Sequence, residues 1–178
     1  GPACLISFSA CAFDNNAISS VLGGSGGAVS MQGGGALTVT NCNFRNNTNG
    51  AGSGGALDYF LPSTTSITGA VNITGCTFFN NSITGTSFNG GALNIVSQAA
   101  ASGQTFTVSI QKNTFLNNHA DTAGDGGGAI VTVNSFATGN IAVINNNRFL
   151  GNTAAGTATS GLAVGPGNGT TEGESKRG

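Results

Sequence analysis

The sequence predicts an all-β protein, a single right-handed parallel β-helix of about five coils. Three observations carry that expectation. A Phe-x-x-Asn corner recurs five times, a Gly-Gly-Ala-hydrophobic segment alternates with it, and the 178 residues contain 31 glycines but only 6% charged side chains. Self-similarity at a fixed period is the mark of a solenoid, in which each repeat buries its apolar face against its neighbours.

The corners read Cys11-Ala-Phe13-Asp-Asn-Asn16, Cys42-Asn-Phe44-Arg-Asn-Asn47, Cys76-Thr-Phe78-Phe-Asn-Asn81, Asn113-Thr-Phe115-Leu-Asn-Asn118 and Asn147-Arg-Phe149-Leu-Gly-Asn152. Their phenylalanines are spaced by 31, 34, 37 and 34 residues. Stacking coils at about 4.8 Å, the spacing of neighbouring strands, aligns Phe13, Phe44, Phe78, Phe115 and Phe149 as a core ladder. Asn113 and Asn147 then continue the column of Cys11, Cys42 and Cys76, where a turn amide can satisfy backbone groups.

Ahead of each corner lies a strand with apolar side chains at alternate positions: Ile6 and Phe8, Leu37 and Val39, Val71 and Ile73, Val108 and Ile110, Ala142 and Ile144. A period of two buries one face. The other face carries Ser7, Thr38, Asn72 and Ser109, with Ser9, Thr40, Thr74 and Gln111 beside them. Regular threonine arrays on a solenoid can order water. Here the mixture, ending at Val143, makes a poor lattice.

After each corner comes the second element, at Gly26–Val29, Gly54–Leu57, Gly90–Leu93 and Gly127–Ile130, with a degraded copy at Gly161–Val164. Paired glycines permit positive φ or a tight turn, and the residue after Ala is expected to enter the core. Insertions at 60–70, 96–107 and 133–140 should emerge on one side, as surface loops or as a binding face. The β-helix is thus assigned to 1–164. Residues 165–178 lose the apolar pattern, carry Glu172, Glu174, Lys176 and Arg177, and read as a Gly-rich tail or linker.

Composition narrows the function. A net charge of -1 with 38% hydrophobic residues argues against intrinsic disorder. No basic stripe offers a route to nucleic acid or to an anionic membrane surface. No apolar run approaches the roughly 20 residues of a membrane span. Nothing at the start resembles a signal peptide, and Gly1 to Phe13 already reads as repeat, so a mature or excised piece of a longer protein is expected.

Four cysteines, Cys4, Cys11, Cys42 and Cys76, have no CxxC spacing that would suggest zinc. A Cα separation near 4.8 Å allows Cys11 with Cys42, or Cys42 with Cys76, to form a disulfide; the alternative is a column of free thiols packed as small hydrophobes. Asn-x-Ser/Thr sequons at Asn46, Asn72, Asn80 and Asn168 are glycosylation candidates.

Catalysis by a β-helix would need clustered carboxylates with a nearby cation. The acids are scattered: Asp14 is expected to face Arg45 as an ion pair between coils, and Asp58 stands alone on its strand. His119, Asp121 and Asp125 share one Gly-rich loop, where Asp121 and Asp125 are weak metal candidates. The single histidine belongs to no nucleophile motif. No cofactor and no enzymatic activity are expected, a polysaccharide-active β-helix enzyme being the rival reading.

Together the two motifs resemble the passenger region of chlamydial polymorphic outer membrane proteins, whose repeats are named for GGA[ILV] and FxxN. The likeness covers nearly 1–165. It implies a surface-exposed β-helix used in adhesion, although the outer-membrane barrel of that family has no counterpart here. The expected function is an extracellular or cell-surface structural solenoid. Its partners would be copies of itself or adjoining β-helix modules, since a head-to-tail contact propagates as a filament. The alternative is an adhesin fragment binding a glycan or host protein through the insertions, with Tyr59 and Phe60, then Phe88, Phe106 and Phe136, as candidates for stacking on sugars.

Overall fold

In the computed structural model, residues 4–19, 23–62, 68–85, 88–98, 105–121, 128–134, 141–154 and 162–164 are described. Every element among them is a strand. The strands form four parallel sheets of five strands each, joined by registers that pair equivalent residues of successive coils. One coil shows the plan: Gly35–Thr40 in the first sheet, Asn43–Arg45 in the second, Thr48–Asn49 in the third and Leu57–Leu61 in the fourth. The repeat implied at least two strands in each coil. The two extra ones are three and two residues long, too short for a hydrophobic period to reveal.

The result is a β-solenoid. Coils 35–61, 69–97 and 106–134 have neighbours on both sides and make a closed body of about three turns. Strands within 5–32 and 141–164 pair on one edge and form its ends. The count of five coils from the repeat differs because it gives the end coils the weight of the inner ones.

The first sheet buries the alternate residues expected of it: Leu37, Val39, Val71 and Ile73 are fully buried, as are Val108, Ile110 and Ile144 to within 1%. Ile6 and Phe8, on an outer coil, are only partly covered. The core ladder forms as well. Ring centroids from Phe13 through Phe44, Phe78 and Phe115 to Phe149 lie 4.5, 4.8, 4.9 and 5.0 Å apart with planes within 9° of parallel.

The two glycines of the GGA segment have different jobs. Gly54 sits at φ +74°, a left-handed conformation that side chains disfavour. Gly55 has an ordinary φ but no room: a Cβ there would stand 1.9 Å from the carbonyl oxygen of Gly91 in the next coil. The first glycine turns the chain and the second lets two coils approach. Ala56 and Leu57 then both enter the core, as do Ala92 and Leu93.

The corners use asparagine in two ways. Asn15, Asn46, Asn80 and Asn117 adopt φ between +53° and +57°, and Gly151 takes the equivalent place at φ +64°. Asparagine tolerates this region better than most residues. The next residue in each coil, from Asn16 to Asn152, directs its amide along the solenoid axis. Residues 165–178, assigned to a tail, lie outside the described residues.

Candidate functional site

Three polar constructions stand out: an amide ladder in the corners, a buried carboxylate on the fourth sheet, and an open hollow on the second.

The ladder comes from the last residue of each FxxN corner. Asn47 donates from its backbone N–H and its Nδ2 to Oδ1 of Asn81, at 3.1 and 2.9 Å, and its Nδ2 also reaches the carbonyl of Phe13. Asn81 treats Asn118 and Phe44 in the same way, and Asn118 treats Asn152 and Phe78. Asn16 likewise donates to Asn47. Asn47, Asn81 and Asn118 are fully buried and their amides are satisfied, which removes the penalty of burying a polar group.

A second column does the same with mixed chemistry. Asn113 donates to Oδ1 of Asn147 and to the carbonyl of Ile73, while the N–H of Cys76 donates to Oδ1 of Asn113 at 2.8 Å. One coil further, Sγ takes over the acceptor role: Cys42 N–H donates to Sγ of Cys76, and Cys11 N–H to Sγ of Cys42, each at 3.4 Å. Each thiol points back to the carbonyl two residues before it. All four cysteines are free thiols, Cys4 being exposed and apart. Burial pushes the Cys76 thiol up to about 11, so it is a poor nucleophile at neutral pH.

Asp58 was read from the sequence as an isolated strand residue. It lies on the outward side of Leu57–Leu61, yet only 2% of it is exposed. Its carboxylate accepts from Asn94 Nδ2 at 2.7 Å and from Gln32 Nε2 at 3.1 Å, with Ser25 as a further donor. Burial still dominates those donors and raises its pKa to about 6. Asn94 spends its amide nitrogen on this carboxylate, and its Oδ1 has no partner among the described residues.

The hollow lies on the outer face of the second sheet and encloses about 370 Å³, lined by Ala12, Asp14, Asn43, Phe44, Arg45, Thr77 and Phe79. Strand alternation explains its make-up. Phe44 and Phe78 point inward, so Asn43, Arg45, Thr77 and Phe79 must point outward. Register places Asp14, Arg45, Phe79, Leu116 and Leu150 in one column and Ala12, Asn43, Thr77, Thr114 and Arg148 in the next. The expected Asp14–Arg45 ion pair is present, and both groups are solvent-exposed. The guanidinium holds the Asp14 carboxyl below its usual value. Phe79 is half-buried, and Leu150 is 47% exposed.

Two of the residues expected to stack on sugars are instead core. Tyr59 is fully buried, donates its hydroxyl to the carbonyl of Gly35 at 2.7 Å and stacks on Phe106, itself fully buried. The alternation starting at Leu57 sends residues 57, 59 and 61 inward, which accounts for the difference. Phe60 and Phe88 are half-buried, and Phe136 lies outside the described residues. Phe79 was missed, although the adjacent pair Phe78-Phe79 implies that one ring faces out.

Asp121 is exposed at the end of a short strand, while Asp125 lies outside the described residues. His119 is tied by Nδ1 to the Thr153 hydroxyl at 2.7 Å. Among the described residues, no group of three His, Cys, Asp or Glu side chains converges on a metal position. Of the sequons, Asn72 and Asn80 are exposed, Asn46 is half-buried and accepts from Asn80, and Asn168 lies outside the described residues. No family model, no curated protein and no solved structure matches the chain.

Proposed function

We propose that the chain is a right-handed, extracellular structural β-solenoid module that lengthens by stacking onto further coils, either of an adjoining β-helix module or of another copy of itself. The observation that carries this reading is the amide ladder. Asn47, Asn81 and Asn118 each offer the backbone N–H and one amide N–H to the following coil and the side-chain oxygen to the preceding one. Each coil is thus a template whose hydrogen bonds are completed by a coil of the same kind.

Right-handed winding follows from the right-handed twist of strands, which governs nearly all parallel crossovers. The resemblance of the repeats to a surface passenger region favours a cell-surface setting. The protein works by persistence of shape: stacked aromatic rings and closed amide ladders resist shear along an axis, and no reactive group is needed. A neighbouring coil also covers sheet edges that would otherwise pair indiscriminately.

Electron microscopy of the purified chain at micromolar concentration, beside a sedimentation profile, tests assembly. Regular fibrils with fibre diffraction at about 4.8 Å along the axis are expected. A monodisperse monomer across that range overturns stacking between copies. Asn16→Leu, at the amino-terminal end of the ladder, keeps the backbone N–H to Asn47 Oδ1 and is expected to weaken association with little effect on the inner coils.

A further inference from the structure

We propose that the outer face of the second sheet, centred on Phe79 with the Asp14–Arg45 pair beside it, is a binding platform for a neutral polysaccharide. The proposal concerns a sheet face, not the insertions between strands, and it stands whether or not the coils extend into fibres.

The platform is a two-column ribbon. One column is Ala12, Asn43, Thr77, Thr114 and Arg148, mostly small and polar. The other begins with the ion pair and turns apolar at Phe79, Leu116 and Leu150. A pyranose has the complementary division, with a C–H face suited to an aromatic ring and hydroxyl groups around its edge. Seated on Phe79, a sugar would bring those hydroxyls over Asn43, Thr77 and the ion pair, all of which line the same hollow. The hollow's volume of about 370 Å³ falls at the small end of ligand sites.

Solvation decides between a sugar and an apolar protein surface. Asp14 and Arg45 are exposed and hydrated, and a dry interface laid over them would remove water from both charges at a cost their mutual attraction need not repay. Sugar hydroxyls donate to the carboxylate and accept from the guanidinium, and so replace the water they displace. The two charges beside Phe79 cancel, which favours a neutral chain over an acidic one. The centre of the face is also stiff: Asn43, Arg45, Thr77 and Phe79 stand on strands paired on both edges, so little ordering entropy is lost on binding.

The test is calorimetric titration of the full chain with cellohexaose, laminarihexaose, mannohexaose and chitohexaose. At least one should bind with a dissociation constant of millimolar or tighter. Phe79→Leu places in this column the residue type already found at 116 and 150, so the coil is kept and only the ring is lost. It should weaken binding about tenfold, near the upper value of an aromatic contact. Arg45→Ala should weaken it as well, whereas Leu5→Ala, at an exposed apolar residue of the first sheet, should not. Failure of all four sugars to bind at millimolar concentration overturns the proposal. So does binding that survives Phe79→Leu, or a change in sedimentation with Phe79→Leu in the absence of sugar, which would assign the face to protein contacts.

Discussion

At the scale of single residues, Asp58 makes stability depend on pH in a direction opposite to that of an ion-paired carboxylate. Its pKa is raised to about 6 in the folded chain from an ordinary 3.8, so the folded state holds its proton more tightly than the unfolded one. Its contribution is complete below pH 4 and is lost as pH climbs through 6. The full effect is of order 3 kcal/mol. Thermal melts should show Tm falling between pH 4 and pH 7, and Asp58→Asn should flatten that slope. A Tm that rises over this interval with Asp58 in place, and is unchanged in Asp58→Asn, would contradict the assignment. The cysteine column makes a second residue-scale prediction. Sγ of Cys76 serves where an asparagine Oδ1 serves two coils further on, so Cys76→Asn should retain stability. Cys76→Ala strands the N–H of Cys42 and should cost about 1 to 3 kcal/mol in denaturant unfolding.

At the scale of the element, the GGA segment is the most demanding piece of the coil. Gly55→Ala must push the backbone of the neighbouring coil away, since the added carbon would overlap a carbonyl oxygen at 1.9 Å. A loss of at least ~2 kcal/mol is expected in chemical denaturation, and Gly54→Ala, which meets both positive φ and the carbonyl of Leu57, should be no milder. Phe78→Ala removes a buried ring flanked on both sides by stacked rings and should cost about 3 to 5 kcal/mol. These elements were legible in the sequence because a solenoid repeats its constraint. Five phenylalanines in one column, and two glycines before an alanine in coil after coil, leave a pattern that outlasts variation elsewhere. Asp58 and Phe79 were less legible. Alternation says that a side chain faces out but not whether another segment covers it, as Ser25 and Gln32 help to cover Asp58. Phe79 carried its signal in the doubled phenylalanine. Tyr59 carried its own in the spacing from Leu57.

For the whole molecule, the sheets divide the labour. The inner faces of the first, second and fourth hold the core, the corners hold the amide and thiol columns, and the outer face of the second carries the mixed ribbon around Phe79. In such an array each coil touches only its neighbours, so stability is a sum of coil and interface terms. Destabilising variants in the inner coils should therefore loosen the solenoid on both sides of the lesion. Hydrogen exchange would read this directly: Leu37→Ala should speed exchange in Leu5–Ser9 and Gly69–Thr74, its two partners in the sheet, more than in Ile141–Asn145.

The amide ladder runs one way. Its side-chain oxygens accept from the amino-terminal coil, while the backbone N–H and one amide N–H of each donor asparagine point to the carboxy-terminal coil and the second amide N–H reaches back to a carbonyl. A stack of such modules would have two chemically different tips, only one of which presents the ladder's side-chain oxygen. Like a polar crystal, it would then grow at unequal speeds from its two ends, and a labelled seed would show which end is the faster.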